Sequence, residues 1–101
     1  MTIEYIRYKV DADQRSKFVD AYKNAAHQLD ESIYCKGYEL SECEEEEGQF
    51  MLRIEWTSSE EHIKGFRESE QFGHFLSHVK PFFNNIQEMR HYQVTDVNKR
   101  K

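Results

Sequence analysis

The stretch Gln49-Phe50-Met51-Leu52-Arg53-Ile54-Glu55-Trp56 decides the fold. Phe50, Leu52, Ile54 and Trp56 alternate with Met51, Arg53 and Glu55, the period-two pattern of a strand with one face in a core. Just before it, the acidic run Glu44–Glu47 and Gly48 read as a solvated turn. Ile33 to Cys43 reads as the preceding strand, with Gly37 marking a bulge or a close backbone approach. The two strands predict a hairpin. Just after it, Thr57-Ser58-Ser59-Glu60-Glu61 carries an S/T-x-x-E helix start in two registers, opening a helix to about Arg67. Ser69 caps a further helical piece with Phe72, Phe75, Leu76 and Val79 as its apolar stripe. Pro81 ends or redirects that piece.

The ends of the chain complete the pattern. Ile3 to Val10 reads as a strand with Ile6, Tyr8 and Val10 on one side and Ile3, Tyr5 and Arg7 on the other. Asp11 and Gln14 sit at capping-box spacing and predict a helix over about 12–31, with Phe18, Tyr22, Ala25 and Leu29 inward. Ile86 to Val97 reads as the last strand. The order strand, helix, strand, strand, helix, strand is the ferredoxin-like α+β pattern: a four-stranded antiparallel sheet with helices on one face. Residues 1–97 are expected to form one domain, with 98–101 as a basic tail. The helices cover one sheet face only. Tyr5, Arg7, Met51 and Arg53 fall on the other, which predicts a homodimer through the open sheet face.

Composition bounds the function. The chain has 101 residues, a net charge of −5, 33% charged and 14% aromatic residues. The aromatic load argues against disorder. The acidic balance argues against a nucleic-acid partner, whose phosphates call for clustered Lys and Arg. No stretch approaches the ~20 apolar residues of a membrane span. Met1 to Val10 carries charges where a signal peptide would be apolar. Cys35 and Cys43, eight apart on one extended strand, would be separated by roughly 26 Å and could not pair. Free thiols and the missing leader point to a cytoplasmic protein.

Several stretches carry a family resemblance. They are Cys35-Lys36-Gly37-Tyr38-Glu39-Leu40, the strand ending Glu55-Trp56, the Ser58-Ser59-Glu60 helix start, and Ser69-Glu70-Gln71-Phe72 followed by Phe75 and Pro81. Together they resemble the antibiotic biosynthesis monooxygenase family, a dimeric α+β barrel group that includes quinol monooxygenases. The resemblance implies an oxidoreductase: a cofactor-independent monooxygenase oxidising a small aromatic, polyphenol or quinol-type substrate with O2. It also shows departures. Tyr38 and Glu39 follow Gly37 one residue sooner than is common in the family. Phe66 stands where many members carry a His. The Asn, Trp and His used by the heme-degrading branch align with Ile6, Phe66 and Leu76, none of which can do that chemistry. A non-catalytic ligand-binding or dimerisation module is therefore the alternative. A heme-binding protein using His74 or His78 is the third.

Phenol oxygenation asks little of a protein. A base removes a proton, and an apolar pocket orients the ring and excludes water. The candidate catalytic residues are His62, His74, His78 and Tyr22. His74 and His78, four apart on one helix, share a face and read either as a pocket-lining pair or as structural surface residues. No third ligand at metal spacing accompanies them, so no metal is expected. His62, in the first turns after Trp56, faces either the cleft or water. His27 and His91 read as peripheral. Tyr8, Trp56, Phe66, Phe72 and Phe75 are the candidate substrate-pocket residues, with core packing as the competing role for each. Arg53 reads as an interface ion pair with Glu55 or Glu39.

Overall fold

Four strands and two main helices form in the expected order in a computed structural model that describes all 101 residues. They are β1 (Thr2–Lys9), α1 (Arg15–Glu31), β2 (Cys35–Glu42), β3 (Gln49–Trp56), α2 (Glu70–Val79) and β4 (Ile86–Gln93). The sheet order is β2-β3-β1-β4, and every neighbouring pair is antiparallel. This is the ferredoxin-like α+β arrangement.

The hairpin follows its residues closely. Gly48 adopts φ 85°, a left-handed conformation that disfavours any Cβ, and its carbonyl accepts the Val10 N–H at 2.8 Å. The β2–β3 register slips between Cys35 and Gly37, so the bulge is real. The same glycine also allows a close approach, since a Cβ there would meet a Glu55 carboxylate oxygen at 2.6 Å.

Three boundaries differ from expectation. The Asp11 side chain makes no cap; a short 3-10 turn, Ala12–Gln14, comes first and α1 starts at Arg15. After Trp56 the chain winds as a wide π-type helix over Glu61–Phe66, started by Ser58 Oγ accepting the Glu61 N–H at 3.0 Å. β4 ends at Gln93 and does not reach Val97; the Val94 N–H turns to the Met1 carbonyl at 3.2 Å. The cap at Ser69 forms as read, with its hydroxyl accepting the Phe72 N–H at 3.3 Å.

The core lies between the sheet and the helices. Phe18, Tyr22, Ala25 and Leu29 of α1 are all buried, as are Phe50, Leu52, Ile54 and Trp56 of β3. Phe18 has 0% exposure and meets the rings of Tyr8, Tyr22, Phe50 and Phe82 at centroid distances of 4.8–5.2 Å. A Phe18→Ala truncation at such a site costs about 3–5 kcal/mol. No residue of β2 is buried, so its helix-side residues Tyr38 and Leu40 border an open groove beside α1. Cross-strand register places Tyr5, Arg7, Met51 and Arg53 on the sheet face away from the helices, together with Tyr92. There Arg53 pairs with Glu55 of its own strand at 3.3 Å, and Arg100 of the tail reaches the same carboxylate at 3.7 Å.

Candidate functional site

A cavity of about 470 Å³ lies between α2, the π-type turn and the helix side of the sheet. Its wall is mostly apolar: Ile6, Ile54, Phe66, Phe72, Phe75 and Val79 contribute. Phe83 and Met89, both more than 40% exposed, also border it and mark where it meets solvent. Polar groups enter the wall at two places. Glu4, His62 and Arg67 stand in one group, and the hydroxyls of Tyr8 and Tyr22 form the other. Glu4 and Tyr8 share one face of β1 four residues apart, which sets them about 13 Å apart along the strand.

The first group is a connected network. Glu4 and His91 are cross-strand partners, so their side chains stand side by side. Trp56 Nε1–H donates to Glu4 Oε1 at 3.1 Å. His62 Nε2 lies 3.4 Å from Glu4 Oε1, and His91 Nε2 lies 3.6 Å from Glu4 Oε2. His62 Nδ1 and His91 Nε2 share a hydrogen bond of 2.7 Å. The His62 ring lies flat on Trp56, with centroids 4.3 Å apart and planes 13° from parallel. Its orientation is therefore fixed by stacking.

Burial sets the protonation of this network. It pushes the Glu4 carboxyl up to about 7, against the Trp56 hydrogen bond and the positive field of Arg67, which favour the ionised form. Burial pushes His62 down to about 3, helped by the His91 and Arg67 charges. His91 is lowered by burial and then by Arg67. The 3.4 Å Glu4–His62 approach is thus one between a carboxyl and a neutral imidazole and not an ion pair. Because each imidazole has two nitrogens, paired tautomer changes can carry a proton from Glu4 through His62 to His91. The His91 side chain is 28% exposed on the edge strand, so the chain of groups ends near water.

The second group behaves differently. Tyr8 and Tyr22 hydrogen-bond through their hydroxyls, and both are buried. Burial pushes the Tyr8 phenol up to about 12, and it raises Tyr22 as well, helped by the Tyr8 hydroxyl. Both stay protonated at neutral pH. One of their two protons is used in the bond between them, which leaves one hydroxyl to donate to a ligand oxygen, and neither is suited to act as a base.

Several expected positions need correction. His74 and His78 are both exposed on α2 and border no part of the cavity, so they are not a pocket-lining pair. Trp56 does not border the cavity; with 0% exposure it is a core anchor that supports His62 and Glu4 from behind. His91 is not peripheral. His62, Tyr8, Tyr22, Phe66, Phe72 and Phe75 all border the cavity. So do Ile6, Phe66 and Leu76, the positions aligned with the heme-degrading residues. Glu4, His91 and Arg67 join the site without a motif in the sequence. Parity alone would have found Glu4, since it lies in step with Ile6, Tyr8 and Val10.

The ferredoxin-like sheet thus carries a largely apolar cavity, open at Phe83 and Met89, with a buried acid–imidazole cluster in its wall. The chain belongs to the antibiotic biosynthesis monooxygenase family, whose profile matches residues 1–77. It is 31% identical over 80 residues to the uncharacterized protein YczJ of Bacillus subtilis (strain 168), covering 76% of this chain and 81% of that one. Its fold is similar to a Bordetella bronchiseptica structure assigned to antibiotic biosynthesis monooxygenases, with a TM-score of 0.80 at 20% identity over 93% of this chain and 96% of that one. A conserved protein of Methanosarcina mazei Go1 is similar at TM-score 0.78 and 13% identity, covering 93% and 92% of the two chains. At such identities the likeness to these structures is one of fold. No helix is long and apolar enough to cross a membrane.

Proposed function

We propose that the protein is a monooxygenase that oxidises a small electron-rich aromatic, such as a quinol, with the substrate itself supplying the electrons. The observation that carries this reading is the apolar cavity with polar groups at two places along its floor. A flat ring with oxygens at opposite edges would lie between them. The tyrosine hydroxyl whose proton is not used within the pair donates to one oxygen. The Glu4–His62 group takes the proton from the other, and His91 passes it toward water. The resulting anion reacts with O2. One oxygen atom enters the ring and the other leaves as water. All four electrons come from the quinol, which becomes a hydroxyquinone. Family membership supports the reaction class, and the mostly apolar wall of the cavity supports its need to limit contact of the reactive anion with water.

Residues 1–97 act as one unit in this reading, with the basic tail 98–101 outside it. Two units associate through the open sheet face, where Tyr5, Met51 and Tyr92 are incompletely covered. Sedimentation at micromolar concentration checks the dimer: a species near 12.2 kDa would rule it out. Oxygen uptake with a panel of quinols and hydroxy-aromatics checks the activity. Uptake stoichiometric with the loss of one of them is expected. Binding of those compounds with no uptake would instead assign the chain to a non-catalytic module of the same fold.

A further inference from the structure

We propose that Glu4, His62 and His91 form a binding site for one divalent first-row transition-metal ion at the polar end of the cavity. The proposal goes beyond the oxygenase reading and does not depend on it. Two imidazoles and one carboxylate offer three ligand atoms that all lie within 4.8 Å of one another. Donors sharing an ion at about 2.1 Å each lie about 3.0–3.4 Å apart at octahedral or tetrahedral angles. The contacts of 3.4 Å and 3.6 Å from the Glu4 oxygens to His62 and His91 are close to that spacing. The 2.7 Å hydrogen bond to His91 is made by His62 Nδ1, whereas His62 Nε2 faces Glu4; an ion held with Glu4 would use Nε2, the third ligand coming from His91 Nε2 beside Glu4 Oε2.

The ligands are held by rigid elements. Glu4 and His91 are paired across two strands, and the His62 ring is clamped by its stack on Trp56. Trp56 Nε1–H orients the Glu4 carboxylate from behind, the kind of supporting contact that metal sites use. Glu4 and His62 border the cavity, so the remaining coordination positions face it and stay open to a small ligand. The donor set selects the ion class. Imidazole nitrogen suits zinc, iron, cobalt or nickel, whereas calcium and magnesium seek sites built of oxygen. The one like charge bordering the same cavity is Arg67.

The competing sink for such an ion is the exposed pair His74 and His78, four apart on α2. The experiment separates the two. Co2+ is titrated into chelator-treated protein without substrate, and its visible absorption and the bound stoichiometry are read. One tightly held Co2+ per chain, displaced by Zn2+, is expected. His91→Gln and Glu4→Gln should each weaken binding by more than about tenfold. The double variant His74→Gln/His78→Gln should keep it. His91 lies on an edge strand and is partly exposed, so its variant retains the fold, which circular dichroism verifies; it decides the matter even if Glu4→Gln does not fold. Absence of stoichiometric binding overturns the proposal. So does binding that survives His91→Gln and disappears in the double variant. The binding readout needs no turnover, so failure of oxygen uptake leaves it intact. Full turnover in protein that binds no Co2+ would remove the metal and leave the oxygenase reading standing.

Discussion

The chain carries two pairs of histidines that contrast in every respect. His74 and His78 are neighbours in sequence, share one helix face and stand in water. His62 and His91 are 29 residues apart, come from a turn and an edge strand, and share a hydrogen bond beside a buried carboxyl. The first pair is visible as a motif and touches nothing functional. The second has no motif; His62 joins Glu4 in the wall of the cavity beneath α2, and His91 stands beside them. Spacing on one helix reports which face a residue shares, not whether that face is covered. Only the packing of α2 against the sheet decides that.

Catalysis should show the widest gap between the two pairs. Glu4→Gln and His62→Gln keep the side-chain size near constant while removing the proton acceptor. Each is expected to lower the rate of oxygen uptake by about 10²–10⁴-fold, the usual range for a positioned acid–base group. His74→Gln and His78→Gln should leave the rate unchanged. Steady-state oxygen-electrode rates with a quinol turned over by the native chain check this. Equal losses in both pairs would remove the distinction.

Stability should separate the pairs next. Glu4 Oε1 receives the Trp56 indole N–H inside the core. Trp56→Phe keeps an aromatic ring under His62 but removes that donor, leaving a buried carboxyl short of a partner. A loss of about 1–3 kcal/mol is expected from the unmade hydrogen bond, read as a shift in the urea midpoint. Glu4→Gln in the Trp56→Phe background should cost less than the two changes summed, because they share one contact.

The tyrosine pair tests whether the other polar place in the cavity is as dry as the first. Six tyrosines are present. An alkaline titration followed by phenolate absorbance should show Tyr8 and Tyr22 missing from the step near pH 10, together with Tyr38, which its hydrogen bond to Asp30 raises to about 12. Tyr8 is raised to about 12, so the folded chain holds its proton where the unfolded chain has lost it. Folding stability should therefore be fully present below about pH 10 and fall as pH rises from 10 toward 12. Ionisation of five or more near pH 10, in protein still folded by circular dichroism, would show that water reaches the pair.

How far the sequence revealed these features follows from the same physics. The fold was legible because β3 alternates strictly and one turn, at Gly48, fixes the hairpin. Glu4 was legible in principle, since β1 has no irregularity before it and parity puts it beside Ile6. His91 was not. β4 pairs Ile86 with Tyr8 and Glu88 with Arg7, so the register slips by one residue there. Counting by twos from Ile86 would aim His91 at the open sheet face; the bulge reverses the parity and turns it toward the helices. The π-type winding of residues 61–66 hides His62 in the same way, because helical spacing counted at 3.6 residues per turn no longer tells which side it faces.

The smallest expected effect belongs to the exposed pair itself. The double variant His74→Gln/His78→Gln changes two exposed side chains; the Ser77 hydroxyl nearby donates to the His74 backbone carbonyl, which the change keeps. Gln and His have similar modest effects on helix formation, so propensity contributes little. His78 sits exposed in the last turn of α2. Its loss is worth at most a few tenths of a kcal/mol at an exposed site, and the whole change should stay within about 0.5 kcal/mol by urea denaturation. A loss several times larger would mean that this helix face is covered after all. The contrast would then lie between two buried surfaces, with α2 contacting a second chain through the side opposite the cavity.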